Sequence, residues 1–379
     1  MKHLKLFGHF GARLFLTAVF LFALVAGVTS PAAAASQSAF GAVYTMTNAA
    51  SGNEVLVYDR SSDGSLAFLG AYATGGLGSG AGLGSQSALT LSHDNHWLFA
   101  VNAGSNQISS FAVTEGGLQL VDVVDSGGTL PVSLTSYKGW LYVLNAGGSG
   151  NISGFAVGQD GSLSPLAGSI QPLSNGNAGA APAVAQIAFS SDGSTLAVTE
   201  KSTNLIDTYL VENGWAGAPI SNPSAGSTPF GFAFDRHGHA IVSEAFGGAP
   251  GASALSSYEI TKNGFSVISP SVATTQTAAC WVAISNNGKY AYTTNAGSGS
   301  ISSYQIAEDG TITLLNPTAG VIGAGSSPVD MAFSNNGQTL YALANGAHTI
   351  SIFGMNSDGS LASQGTINVP VGVVGLAAR

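Results

Sequence analysis

Two glutamates stand where most of this sequence places asparagine. Seven short apolar segments end in Asn48, Asn102, Asn145, Glu200, Glu244, Asn295 and Asn345. Asparagine at such a point commonly hydrogen-bonds its own turn. A carboxylate there, twice in succession, concentrates negative charge in one place. Neighbouring carboxylates push one another's pKa apart, which suits a general acid/base pair. Glu200 and Glu244 are therefore the first candidate catalysts. His348 is the third, because it alone among the histidines beyond the N-terminal segment falls near the same segment ends. The amide oxygens of Asn102, Asn145, Asn295 and Asn345 make these residues candidate ligand contacts. With the carboxylates they form a donor set that a hard cation such as calcium can accept.

No cofactor is otherwise expected. The pairs His93/His96 and His237/His239 lack a third ligand at metal-site spacing. Neither a Gly-x-Ser-x-Gly elbow nor a His-Glu-x-x-His helix motif occurs. The glycines of residues 75–84 precede no helical pattern, so they do not read as a phosphate-cradling loop.

The elements that must position these residues are legible as a repeat. About 15 residues after each segment end comes a glycine turn: Gly64, Gly117, Gly161, Gly214, Gly264, Gly310 and Gly359. Residues 328–369 show the unit in full. Strands at 329–333 and 340–344 flank the turn Asn335-Asn336-Gly337. Strands at 349–353 and 363–369 flank Asp358-Gly359, a tight-hairpin signal. Four antiparallel strands per unit, seven times, give an all-β, seven-bladed β-propeller. The first unit starts at its second strand, and the chain ends in a lone first-strand pattern at 373–378. The C-terminal strand is therefore expected to close the ring, which removes two open sheet edges. In this frame the seven segment ends converge at one mouth of the central channel. First strands line the channel, so Gln186, Trp281 and Asp330 join the ligand-binding candidates. Inserts at 75–84 and 171–181 read as mobile rim loops, and Lys201 as pointing away from the mouth or pairing locally. The aromatic second strands that start at Trp97 and Trp140 read as packing between sheets rather than as sugar-stacking platforms.

Residues 1–35 read as an export signal: basic Lys2, Lys5 and Arg13, an apolar run at 14–28, and Ala33-Ala34-Ala35 before Ser36. This leaves a single domain over 36–379 and a secreted, extracellular or periplasmic location. No membrane insertion is expected after cleavage. The remaining chain holds seven basic and 19 acidic residues, a formal charge of −12. Nucleic acid is excluded as a partner, because nothing neutralises phosphates. Cys280, the lone cysteine, is read as a buried hydrophobe.

The stretches Leu141-Tyr142-Val143-Leu144-Asn145-Ala146-Gly147 and Tyr290-Ala291-Tyr292-Thr293-Thr294-Asn295-Ala296-Gly297 are each followed by Ile-Ser and an aromatic strand. They resemble the repeats of the lactonase family of seven-bladed propellers, which includes propeller-type 6-phosphogluconolactonases and carboxymuconate-lactonising enzymes. They are also similar to the Tyr-Val-Thr-Asn repeats of surface-layer proteins. The resemblance covers the chain beyond the leader. It implies a small-molecule lactone or carbohydrate as partner, a monomer, and a carboxylate that activates water. Family members often carry Arg-His before a first-strand core and Glu after the next strand. Here Ala185-Gln186 and Glu200 stand in those places. With the anion clamp replaced, the resemblance implies a neutral rather than a phosphorylated lactone. Gln186, Trp281 and the asparagines would position the ring for Glu200 or Glu244. The second class of function is a non-catalytic surface propeller that binds glycans or proteins.

Overall fold

The computed structural model describes residues 41–379; the leader reading falls on residues outside these. Among the described residues, 29 strands form seven antiparallel sheets. Their innermost strands are Leu89–Leu91, Pro131–Tyr137, Val184–Phe189, Pro229–Phe234, Ala279–Ile284, Pro328–Phe333 and Val374–Ala378. Each touches the next in a closed ring around a central channel. The expected closure holds: Val374–Ala378 pairs with Gly41–Met46 as the inner edge of blade one. Arg379 and Ala42 also exchange backbone hydrogen bonds at 2.9 and 3.3 Å.

The repeat glycines and repeat aromatics explain each other. A Trp or Tyr on one blade's second strand covers the outer turn of the following blade. At Gly161, φ is +81°, and an added Cβ would lie 2.4 Å from the Trp97 ring. Only glycine satisfies both the turn and the packing there. Tyr142, Tyr292 and Tyr341 donate their hydroxyls to the carbonyls of Gly214, Gly359 and Gly64 at 2.9, 2.7 and 2.8 Å. These bonds stitch blade three to four, six to seven and seven to one without a disulfide. Cys280 is buried, with its thiol pushed up to about 12 by burial, as fits a packing role.

Innermost strands bulge where they face the channel. Register shifts fall between Val184 and Gln186, Pro229 and Phe232, Ala279 and Val282, and Pro328 and Met331. Such bulges re-aim side chains, and these bracket Gln186, Gly231, Trp281 and Asp330. The two inserts are not loose rim loops. Leu83 of the first packs against two core clusters. Leu173 of the second is fully buried, and Gln171 bridges to Ile152 beside blade three. Only the tip of the second insert, residues 176–180, is exposed.

Candidate functional site

The channel is plugged by its own chain. Residues 82–87, which join blade one to blade two, run into the mouth and bond to four other blades. Ser85 donates its hydroxyl to Val132 O at 2.7 Å, and the Gln86 N–H donates to Ala185 O at 3.0 Å. The Gln86 side chain crosses to blade six. Its Nε2 donates to Val282 O at 2.8 Å, and its Oε1 accepts the Val282 N–H at 3.1 Å. This explains why Gly231 lacks a side chain: a Cβ there would lie 2.1 Å from Gln86 Oε1. Trp281 Nε1 donates to Ser85 O at 2.9 Å. The Ser87 N–H points at Asp330 Oδ2 at 3.4 Å.

Against this plug lies a cavity of about 290 Å³. Residues 82–85 roof it, Trp281 and Val374 wall it, and Asp330 and Asn345 supply its polar side chains. Asp330 is 3% exposed. Burial pushes its carboxyl up to about 7, with the N–H groups of Ser87, Met331 and Leu376 opposing that rise. Asn345 Oδ1 is buried and has no protein partner among the described residues. Lys201 sits at the roof rather than pointing away. Its Nζ donates to Gly84 O at 2.6 Å and lies 4.7 Å above the Phe230 ring, which packs 4.9 Å from Trp281. Burial lowers this amine to about 8.

Three residues singled out from the sequence thus meet in one cavity: Trp281, Asp330 and Asn345. The others lie elsewhere. Gln186 is spent between blades, with Nε2 donating to Phe232 O at 2.9 Å and Oε1 accepting from Phe232 N at 2.6 Å. His348 occupies an exposed turn at φ +55° and does not line the cavity. Apart from Asn345, the segment ends do not line the mouth cavity. Asn102, Asn145 and Asn295 instead tie the second strand of their own blade to its third. Asn102 Nδ2 donates to Ser109 at 2.7 Å, Asn145 Nδ2 to Ser153 at 3.3 Å, and Asn295 Nδ2 to Ser302 at 2.9 Å.

Glu200 and Glu244 occupy the same seam position, fully buried, and neither lines the cavity. Glu200 accepts from Ser174 N at 3.0 Å, from the Ser174 hydroxyl, and from Thr203 Oγ1 at 2.6 Å. Glu244 accepts from Gly226 N at 2.7 Å, from the Ser256 hydroxyl, and from Ser271 Oγ at 2.6 Å. Burial raises its carboxyl against those bonds. Sequence reasoning missed Asp207, which takes the position held by Ser109, Ser153, Ser256, Ser302 and Ser351 in five other blades. It is fully buried beside Glu200. Burial and then the Glu200 charge push it up to about 7, while Ser221 opposes. Its Oδ2 accepts no hydrogen bond. A protonated Asp207 that donates to the Glu200 carboxylate satisfies both groups. Among the described residues no group of three or more His, Cys, Asp or Glu converges in metal-binding fashion.

Fold and cavity together define a seven-bladed propeller with a ligand-sized site at its channel mouth. The chain belongs to the family described as Lactonase, 7-bladed beta-propeller, whose profile matches residues 37–177 and 248–374. No curated protein is significantly similar in sequence. Among solved structures, the periplasmic gluconolactonase PpgL of Pseudomonas aeruginosa is 18% identical, with a TM-score of 0.70 over 89% of this chain and 98% of that one. A candidate 6-phosphogluconolactonase from Bacteroides fragilis is 19% identical, with a TM-score of 0.68 over 89% and 98%. Citrobacter koseri AztD is 12% identical, with a TM-score of 0.56 over 89% and 98%. At these identities the likeness is one of fold.

Proposed function

We propose that this chain is an exported lactone hydrolase that works on a small, uncharged lactone at the Asp330 cavity. One observation carries the reading: a buried carboxyl poised near neutrality opens onto a ligand-sized cavity beside an unpartnered amide oxygen. Membership of the lactonase family supports the reaction class, and the fold likeness to a periplasmic gluconolactonase agrees with it. The volume lies near the lower end of small-molecule sites, roughly 300 Å³, which fits one sugar-sized ring.

The chemistry follows from the side chains. Ionised Asp330 takes a proton from water as the water oxygen bonds to the lactone carbonyl carbon. The Asn345 amide orients the ring by accepting a hydrogen bond from a substrate hydroxyl at Oδ1. Collapse of the tetrahedral adduct breaks the ring C–O bond. Asp330 returns its proton to the departing oxygen, and a hydroxy acid leaves. Lys201, the cation of the roof, already serves Gly84, so a phosphate finds little to pair with. The leader at 1–35 supports export, and the mature domain is read as 36–379. Ring closure by the chain's own C-terminal strand supports action as a monomer.

The test is a pH-stat panel of aldonolactones, their 6-phosphates and unrelated lactones. Turnover of neutral lactones is expected, with kcat/KM rising through about pH 7 as Asp330 ionises. No turnover above background, or preference for the phosphorylated forms, overturns the reading.

A further inference from the structure

A larger cleft lies on the other face of the ring. It measures about 690 Å³ and sits at the seam of blades two and three. Its walls are the turns that follow the innermost strands and the ends of the third strands. Those turns lie at the opposite strand ends from Asn345 and Asp330. Half-buried Trp97, Tyr137 and Trp140 line it above buried Phe99. Each of the three half-buried rings is already pinned. Trp97 covers Gly161, Tyr137 covers Gly193, and Trp140 covers Gly214. Rings held in this way offer flat apolar surface at little further cost in side-chain freedom.

The polar rim is small and of mixed sign. His96 Nδ1 lies 3.0 Å from Asp94 Oδ2, which sets the ring's orientation. Lys138 lies 4.9 Å over the Tyr137 ring, and exposed Gln159 completes the rim.

The repeat supplies its own controls. The cleft at the seam of blades four and five is lined by Asp192, Arg236, His237, His239, Glu259 and Lys262, with no Trp, Tyr or Phe. The one at the seam of blades six and seven is lined by asparagines, Gln338 and Met355. The backbone plan is shared, so the aromatic wall at blades two and three is a property of the residues there. The sequence reading treated Trp97 and Trp140 as packing alone. The structure gives each a packed side and a place in a cleft wall.

We propose that this cleft is a second ligand site, independent of the Asp330 cavity, and that it binds neutral carbohydrate. Aromatic faces match the C–H faces of a pyranose, and the rim offers donors and acceptors to its hydroxyls. The single lysine does not supply the cation density a nucleotide or an acidic polymer needs. Free oligosaccharides and insoluble polysaccharides present the same chemistry.

The test titrates the intact protein with soluble tetrasaccharides of glucose, xylose and N-acetylglucosamine while following tryptophan fluorescence. A parallel arm measures retention on insoluble cellulose, xylan and chitin. Saturable quenching by at least one tetrasaccharide, or retention on its polymer, is expected. Retention on polymer alone assigns the site to extended chains. Trp97→Ala is expected to weaken binding by about tenfold or more. Because Trp97 also covers Gly161, the exposed variant Gln159→Ala provides a fold-neutral check and is expected to weaken binding in the same direction. Arg236→Ala, in the cleft of blades four and five, should bind like the parent. Absence of binding in both arms overturns the proposal. So does equal binding by the parent, Trp97→Ala and Gln159→Ala, or tighter binding of adenosine monophosphate than of any sugar.

Discussion

The channel mouth at blades six and seven and the seam of blade four each hold a buried aspartate pushed up to about 7. Asp330 opens onto a cavity that a small molecule can enter. Asp207 opens onto Glu200, whose oxygens are taken by Ser174 and Thr203. The same physics, desolvation of a carboxylate, thus leaves one aspartate at a cavity wall, where we propose it acts as a reagent, and the other in a structural clasp. A shifted acid is a candidate for chemistry only where there is room for something to react with it. The lactonase profile leaves residues 178–247 unmatched, and Glu200, Asp207 and Glu244 all lie in that stretch. The unmatched stretch thus covers blade four and the start of blade five, and of its residues Lys201 and Phe230 reach the cavity roof.

That contrast can be broken most severely by truncation. Deleting residues 371–379 removes the inner strand of blade one together with Val374 and Gly375 of the cavity wall. It leaves every residue of the blade-four seam in place. Loss of cooperative thermal unfolding by calorimetry is expected. A truncated chain that melts like the parent would show that the mouth is not built on ring closure.

In the blade-four seam, Thr203→Val removes one donor to the buried Glu200 pair. A loss of about 1–3 kcal/mol in urea unfolding is expected, with lactone turnover unchanged. Reduced turnover at intact stability would move the chemistry toward the seam.

The two regions should share one pH signature. A carboxyl whose pKa is raised on folding binds its proton more tightly in the native state than in the unfolded chain. Its stabilising contribution is complete below the ordinary carboxyl value, about 4, and is lost as pH rises through about 7. Asp330→Asn and Asp207→Asn should each flatten that decline, by up to about 4 kcal/mol at pH 8. The surface aspartates Asp63, Asp160, Asp309 and Asp358 are held low by Ser or Thr neighbours. They act in the opposite sense and only below about pH 4. A decline between pH 4 and 8 that neither variant alters would contradict the burial account.

The smallest expected effect is at the roof. Trp281→Phe keeps a ring beside Phe230 and removes the indole bond to Ser85. A cost of about 1 kcal/mol is expected, with a raised KM and little change in kcat. A variant with the parent's KM would show that the Trp281–Ser85 bond does not shape the cavity.

Most of the fold was legible because strand ends, glycine turns and aromatic seconds recur at one period. The ring closure was legible for the same reason, since the first unit lacks the strand that the last residues supply. The site was legible in part. Trp281 and Asp330 stand out because bulged inner strands must show some side chain to the channel, and Asn345 because it ends a repeat strand. Their meeting depends on residues 82–87, which a repeat-based reading treats as an insert at the rim. Nothing in a Gly-rich stretch followed by Ser85-Gln86-Ser87 signals that it reaches four other blades. Asp207 escaped for a different reason. It lies inside a strand, at a position that reads as ordinary alternation until Ser109, Ser153, Ser256, Ser302 and Ser351 are aligned with it. The seam role of Glu200 and Glu244 depended on partners from distant connections, Ser174 and Gly226, which spacing along the chain does not reveal. Non-glycine residues with positive φ recur just before the inner strands, at Leu130, Ala183, Thr228, Ala278 and Ser327. Their carbonyls accept the N–H that follows each second strand, or in blade seven the N–H of Asn345 itself. Four residue types fill the five positions, so the sequence carries no signature of this joint.

The most direct test sets the two buried aspartates against each other in one assay. Asp330→Asn and Asp207→Asn are compared with the parent for kcat/KM on the best neutral lactone, after folding has been matched by melting temperature. Asp330→Asn is expected to lose about 10²–10⁴-fold, the usual worth of a general base, while Asp207→Asn stays near the parent. Full activity in Asp330→Asn, or the loss appearing in Asp207→Asn instead, would contradict the assignment of the chemistry to the channel mouth.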